Sequence, residues 1–591
     1  MVLSGPETTT RDESDDRRVR PEAPPGPAAG VPARRPRWPR RLLAALRHDW
    51  QVTVLAVLAG LALVPAFPPY DVWPLSLVAV AALSLLTRGR SARRGGWLGF
   101  AMGLPFFFGL LSWLRVVGWD ATFGLSVIQA LFFVPLGAGL AATARMRAWW
   151  LWAACLWVAE EWARGRVPFG GFPWGRLAFA NTDTPYTPLA ALGGAPLVTF
   201  AVALTGTLLA WAGVRLWHLR RAGLLTPREA LPALGGVGLA VAVGAGGYAV
   251  PVPTAADDTA RVAVVQGNVQ QPGMDFLGRP MMILNNHVEA TRRLADDVAA
   301  GRADQPDLVL WPENASDLDP YRRPEAYAAI DSAVRAIGVP VLVGALVDHP
   351  TEEGYVENQG IVWDPESGPG DSYTKQHPVP FGEYVPFRDQ LSTVISRLDR
   401  VPRDFWPGEH SGVLDVGPAR LGDVICFEVA YDGIVTDTVN DGARALVVQT
   451  NNATYGNTGQ PEQQLAMSRL RAVEHGRAVV TVATSGISAV VRPDGSIEQR
   501  TEEFTQDVLT TELPLRDGRT VADRVGAAPE WSLALGGLLA WAWTGLRPRL
   551  ARRGKGASGT SGATGVTDAG EGDTAGGRDT AAEGGAGERK E

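Results

Sequence analysis

Seven apolar stretches, at 51–67, 73–87, 97–117, 122–144, 149–163, 189–217 and 231–251, precede a long polar block, and an eighth, at 527–546, follows it. Each is near the ~20 residues that cross the hydrocarbon core of a bilayer. The pattern predicts a polytopic α-helical membrane domain of about eight spans, although the two shortest stretches also fit a buried hairpin. Orientation tests the count, because short cytoplasmic loops collect Lys and Arg. Arg34, Arg35, Arg37, Arg40, Arg41 and Arg47 precede the first stretch; Arg88, Arg90, Arg93 and Arg94 follow the second; Arg145 and Arg147 follow the fourth. Arg215, Arg220, Arg221 and Arg228 lie between the sixth and seventh, and Arg547, Arg549, Arg552, Arg553 and Lys555 follow the eighth. The loops PPYDVWP and GWDA have no basic residue, and only the longer 164–187 loop departs from the pattern, with Arg164, Arg166 and Arg176. With eight spans the basic clusters share one side, both termini are cytoplasmic, and the polar block lies outside the cytoplasm against the cell membrane.

The chain therefore divides into a disordered tail at 1–48, a seven-span membrane domain at 49–254, a polar domain at 255–520, an eighth span at 521–547 and a second disordered tail at 548–591. The tails are rich in Pro, Ala, Asp and Arg at one end and in Gly, Ala, Thr and Glu at the other, without a core-forming pattern. The 20 Trp suit membrane interfaces. A net charge of -7, with basic residues in short scattered clusters, gives no stripe for nucleic acid.

Within 255–520, short β-branched runs alternate with helical patterns. RVAVVQGNV, DLVLWPE, PVLVGALV, ENQGIVWDP, LGDVICFE, ALVVQTNN, AVVTVAT and SAVVRPDGS read as strands, and helices are expected near 281–300, 325–337, 429–440 and 460–475. This is an α/β domain with its sheets covered by helices.

Of the two cysteines, Cys155 lies in the apolar run WWLWAACLWVAEEW, so Cys426 is the one thiol of the polar domain. It ends an apolar strand, Val424-Ile425, and opens an expected helix, a turn that presents a nucleophile beside helix N–H groups and favours its thiolate. A free Cys is more often a small buried hydrophobe. Glu313, in Leu310-Trp311-Pro312-Glu313-Asn314, stands at the C-terminal end of a strand, where α/β sheets place their sites; a solvated loop carboxylate is the ordinary alternative. Lys375 would pass for a surface residue, except that only three of the 55 basic residues are Lys and the other two, Lys555 and Lys590, lie in the C-terminal tail. The seven His lack ligand spacing, so no metal and no cofactor is expected, and His377 beside Pro378 reads as structural.

Together these residues resemble the carbon-nitrogen hydrolase (nitrilase) superfamily, whose Glu-Lys-Cys triad occurs in this order at strand ends of an αββα sandwich. Within it, WPEN, KQHPVPFGEYVPF, ICFE, NNATYG and RLRAVEHGRAVVTVATSGISAVVRPDG resemble the apolipoprotein N-acyltransferase family, over about 50–546. Two positions depart from the family: Phe427, where it often has Tyr, and Asn452-Ala453-Thr454-Tyr455, where it often has Trp.

The resemblance implies that Glu313 is the base that takes the Cys426 thiol proton, that Lys375 stabilises the oxyanion, and that Glu383 and Glu428 support Lys375 and the nucleophile turn, unless the last two are plain surface carboxylates. It implies a phospholipid as acyl donor, a Cys thioester, and the α-amine of a diacylglyceryl-modified N-terminal Cys of an apolipoprotein as acceptor. Phe381, Tyr384, Phe427, Asn451 and Tyr455 are the expected substrate contacts. Apolar residues in the insert's loops, among them Val379, Phe387, Phe405 and Trp406, either dip into the bilayer, close over acyl chains or simply pack. Two rivals remain: a membrane-tethered amidase that resolves the thioester with water, and a non-enzymatic polytopic protein. Against the second stand three triad residues in order; Glu160 and Glu161, near the end of the fifth stretch, have no assigned role.

Overall fold

The structure, a computed structural model, describes residues 50–269, 281–391 and 401–557, with no side-chain detail at 391 and beyond 546. Two units divide the chain, 1–51 and 52–591; of the first only Trp50 and Gln51 are described, as the start of a helix. The N-terminal tail, its arginines and Lys590 lie outside the described residues.

All eight apolar stretches are helical. In chain order they form α1 (Trp50–Leu63), α2 (Pro74–Thr87), α3 (Ala92–Leu110), α4 (Trp119–Thr143), α5 (Trp149–Arg164), α6 (Ala190–Arg221) and α7 (Pro227–Gly246), with the last helix, Ala528–Ala557, near the C-terminus. That helix continues past residue 547, where the second tail was expected to begin. Among the described residues, three helices are long and apolar enough to cross a membrane on those criteria alone, at Trp119–Thr143, Thr187–Arg221 and Pro227–Ala249. Leu231, Leu234 and Val241 on α7 and Leu535 and Leu539 on the last helix are more than half exposed. Rows of exposed Leu and Val suit lipid and would aggregate in water.

Close helix contact is bought with small residues. A Cβ on Gly99 would stand 1.9 Å from the carbonyl oxygen of Phe133, and one on Gly137 2.1 Å from that of Gly95, so α3 and α4 meet backbone to backbone. α6 is interrupted at Gly193 and Gly194, the latter at φ +70°.

The polar domain contributes β1 (Asp258–Gln266), α8 (Met282–Ala299), β2 (Leu308–Leu310), α9 (Pro324–Ile337), β3 (Val341–Asp348), β4 (Tyr355–Asp364), β5 (Gly368–Thr374), the short α10 (Arg388–Leu391), β6 (Asp404–Phe405), β7 (Val413–Val416) and β8 (Ala419–Ile425). After these come α11 (Asp432–Asn440), β9 (Ala445–Thr450), α12 (Gln460–His475), β10 (Val479–Ala483), β11 (Ala489–Val491), β12 (Ile497–Arg500), β13 (Asp507–Leu515), α13 (Val521–Val525) and α14, the final helix. One seven-stranded sheet runs β13-β1-β2-β3-β4-β5 with β6 on β4, and a six-stranded sheet runs β12-β11-β10-β9-β8-β7.

Strand alternation sorts the side chains into layers. Val262, Val264 and Leu310 of the first sheet meet Leu421, Ile425, Val447 and Val480 of the second in a core between the sheets. Ala263, Val265 and Val343 point outward onto Leu284 and Val288 of α8 and Ile330 and Val334 of α9. On the far side, Val424, Leu446 and Val448 pack on Leu465 and Leu470 of α12 in one core that continues into the apolar helices. The result is an αββα sandwich whose second helical layer is fused to the helical domain.

Candidate active site

Cys426 directly follows β8 and opens a 3-10 turn, Cys426–Ala430, with φ +56°. A non-glycine residue in that region stores about 1–3 kcal/mol and needs neighbours that hold it there. Glu428 supplies them. Its buried carboxylate accepts from Ile425 N at 2.8 Å and Tyr373 Oη at 2.9 Å through one oxygen, and from Gln376 N at 2.7 Å and His377 N at 3.0 Å through the other. Glu428 thus ties the Cys426 turn to the segment after β5 that carries Lys375; it is no surface carboxylate. The expected helix at 429–440 starts only at Asp432. The thiol also departs from expectation: burial and the neighbouring Glu313 carboxylate push it up to about 12, against the pull of Lys375 and of a hydrogen bond from Thr450. At neutral pH Cys426 is therefore held as the thiol.

Glu313 lies just past β2 and Lys375 just past β5 of the first sheet, and Cys426 just past β8 of the second, so the three stand at C-terminal strand ends of the two facing sheets. Lys375 is 1% exposed, and its Nζ donates to Glu313 Oε1 at 3.1 Å and Glu383 Oε1 at 2.7 Å. Burial opposes the ammonium, but the two carboxylates outweigh it and hold its pKa well above the usual lysine range. Glu313 also accepts from Asn358 Nδ2 at 2.7 Å and, through Oε2, from Asn451 N at 2.8 Å. Glu383 Oε2 accepts from Val379 N at 2.6 Å, which closes the PVPFGEY loop onto the lysine; burial, with Glu313 nearby, raises the Glu383 pKa despite Lys375.

The expected substrate contacts fall at different depths. Phe381 is exposed at φ +63° and forms an aromatic rim with Phe169 and Phe387, at centroid distances of 6.2 and 6.0 Å from Phe169. Tyr384 is half-buried in the same loop. Tyr455 packs edge-on to Trp113 at 5.0 Å, close enough to Cys426, Glu383 and Glu313 that their charges, after burial, raise its pKa. Asn451 meets Glu313 through its backbone. Phe427 differs from the expectation of a substrate contact: it is 7% exposed and stacked on Phe172 and Trp174 at 5.3 and 5.8 Å, because the 165–176 loop docks over it. His377 packs on Tyr431 with ring centroids 4.2 Å apart, and burial lowers its pKa to about 4.

Several site residues were not singled out in the sequence. Asn358 bridges Glu313 and Glu383, its Nδ2 2.7 and 3.4 Å from their Oε1 atoms, and Thr450 hydrogen-bonds Cys426 Sγ at 3.4 Å. Both sit in strands whose spacing reads as ordinary β-structure; their positions come from the neighbouring strand. Glu160 and Glu161 now have partners. Glu160 pairs with Arg164 at 2.8 Å, whose guanidinium also donates to the Phe172 and Trp174 carbonyls. Glu161 accepts from Leu177 N and Thr199 Oγ1, each at 2.7 Å, and lies 3.5 Å from Arg176. They hold the loop that covers Phe427. Among the described residues, no group of three or more His, Cys, Asp or Glu is placed to bind a metal ion.

Residues 59–208 match the N-terminal domain of apolipoprotein N-acyltransferase, and residues 261–523 match the carbon-nitrogen hydrolase family. The apolipoprotein N-acyltransferase of Mycolicibacterium smegmatis is 40% identical over 521 residues, which cover 84% of this chain and 86% of that protein. The one from Azotobacter vinelandii is 30% identical over 529 residues, covering 86% and 98%. Among solved structures, an amidase from Nesterenkonia sp. is similar at 20% identity and a TM-score of 0.33, over 44% of this chain and 92% of that one.

Proposed function

This chain belongs to the apolipoprotein N-acyltransferase family, and we propose that it takes an acyl chain from a phospholipid onto Cys426 and delivers it to the α-amine of the diacylglyceryl-modified N-terminal Cys of an apolipoprotein. The observation that carries this reading is the buried Lys375 ammonium held between Glu313 and Glu383 beside the strand-end Cys426.

Glu313 takes the Sγ proton, and the thiolate attacks the phospholipid ester carbonyl. Lys375 donates to the oxyanion, and its bonds to Glu313 and Glu383 set that donor in place before reaction. The ester C–O bond breaks, the departing lysophospholipid oxygen takes the proton from Glu313, and the thioester remains. The acceptor amine then attacks the thioester carbon and gives a proton to Glu313. The C–S bond breaks, the product amide leaves, and the thiolate recovers the proton from Glu313. Glu383 orients Lys375 and Glu428 holds the nucleophile turn. Asn451 fixes the base through its N–H, while Phe381, Tyr384 and Tyr455 line the approach of the acyl chain with Phe427 beneath them.

Eight spans, cytoplasmic termini and an extracytoplasmic catalytic domain fit the distribution of arginines. The exceptions in the 164–187 loop do not count against this arrangement: Arg164 and Arg176 are buried against Glu160, Glu161 and Asp432, and Arg166 pairs with Glu530 at 2.6 Å. These arginines serve packing and say nothing about sidedness.

The test is direct. Purified in detergent and given phospholipid and a diacylglyceryl-cysteine peptide, the protein adds the mass of one acyl chain to the peptide amine, and its Cys426→Ala variant does not. Free fatty acid with an unchanged peptide would mean that water, not the amine, resolves the thioester.

A further inference from the structure

Thr450 ends β9 fully buried, with its Oγ1 3.4 Å from Cys426 Sγ. Its neighbours fix the direction of that hydrogen bond. Gln464 on α12 accepts at Oε1 from Asn452 Nδ2 at 2.8 Å and from Gln460 Nε2 at 3.1 Å. Thr450 Oγ1 lies 3.2 Å from the same Oε1, but two amide donors already fill the two lone pairs of that oxygen. The other amide atom, Gln464 Nε2, is 3.1 Å from Thr450 Oγ1 and can only donate. Thr450 therefore accepts from Gln464, and its own proton is left for sulfur.

From this geometry we infer that Thr450 is a further catalytic residue, whose hydroxyl donates to the Cys426 sulfur whenever that sulfur carries charge, with Gln464 as the residue that positions it. A thiolate is a far better acceptor than a thiol or thioester, so the bond strengthens as charge appears. That happens twice: when Glu313 removes the thiol proton, and when the acceptor amine expels the thiolate. Thr450 keeps its proton throughout, so no bond to it is made or broken. The surroundings make such a donor useful, since burial and Glu313 both oppose a charged sulfur. The network is anchored to the helical domain through the residue before Gln464: Gln463 accepts from Trp174 Nε1 at 2.7 Å and Trp113 Nε1 at 3.2 Å, and donates to the Pro68 and Leu110 carbonyls, each at 3.3 Å.

The inference rests on Cys426 as nucleophile, and alkylation of that thiol tests the donor apart from acyl transfer. In full-length protein carrying Cys155→Ala, iodoacetamide modification of Cys426 is followed as pH rises. A bond worth about one pKa unit leaves tenfold less thiolate on its loss but makes that thiolate more nucleophilic, so Thr450→Val should alkylate about three- to fourfold more slowly at neutral pH. Its pH profile should move to higher pH, Thr450→Ser should restore both, and kcat for transfer should fall with KM unchanged. Should Thr450→Val fail to fold, Thr450→Ala removes atoms instead of exchanging them and carries the same expectation. An alkylation profile in the Val or Ala variant matching the parent would overturn the donor role. Loss of transfer in Cys426→Ala would then still support the nucleophile, which separates the two failures.

Discussion

Lys375 keeps a charge where burial opposes one, and its acidic neighbours, Glu313 and Glu383 foremost, make that possible. An arginine cannot take its place. The guanidinium is longer, planar and forked, so it cannot hold Glu313 and Glu383 and still point one donor at the oxyanion. Lys375→Arg should therefore lower kcat for transfer by on the order of a hundredfold, the usual cost of one lost oxyanion donor, while the protein still folds and binds lipid. A rate within a few-fold of the parent in a steady-state peptide assay would remove Lys375 from the oxyanion role. This lysine was visible in the sequence because arginine replaces lysine elsewhere in the folded region. Asn358 and Thr450 were not: an amide and a hydroxyl in β-rich runs carry no signal until β5 lies beside β4 and β8 beside β9.

At the scale of elements, most strands follow from β-branched runs, and the four expected helices in the polar domain are found, one of them shortened by the 3-10 turn at Cys426. β5 was missed because Gly368-Pro369-Gly370 reads as a turn; an edge strand tolerates such residues. β13 was missed although it alternates, and it closes the first sheet by pairing antiparallel with β1. The loop after α5 was half legible: its arginines stood out, but their partners, Glu160, Glu161 and Asp432, are distant in sequence or were unexplained. Arg176 and Arg471 both bond Asp432 at 2.7 Å, and although burial works against the carboxylate, they hold its pKa well below the usual range. The spans themselves make a prediction about sides. In a background lacking both native cysteines, Glu352→Cys in the β3–β4 loop should react with a membrane-impermeant maleimide in intact cells, and Ala222→Cys after α6 should react only after lysis. The reverse pattern would invert the topology and with it the side on which acylation occurs.

Over the whole molecule, one continuous apolar core joins the helical domain to the second sheet of the sandwich. Phe427, next to Cys426, stacks on Phe172 and Trp174 of the helical domain, and Gln463 binds that domain's tryptophans and carbonyls. The turn that carries Cys426 thus packs against the apolar helical domain, an arrangement that suits the proposed transfer between two lipids. The central claim is that the acyl chain passes through Cys426. It is tested by incubating the protein with phospholipid in the absence of acceptor and mapping its peptides by mass spectrometry. The account predicts one acyl chain on the peptide containing Cys426, released by hydroxylamine and discharged when the diacylglyceryl-cysteine peptide is added. An adduct on Cys155, or acylation of the peptide by protein carrying Cys426→Ala, would contradict it.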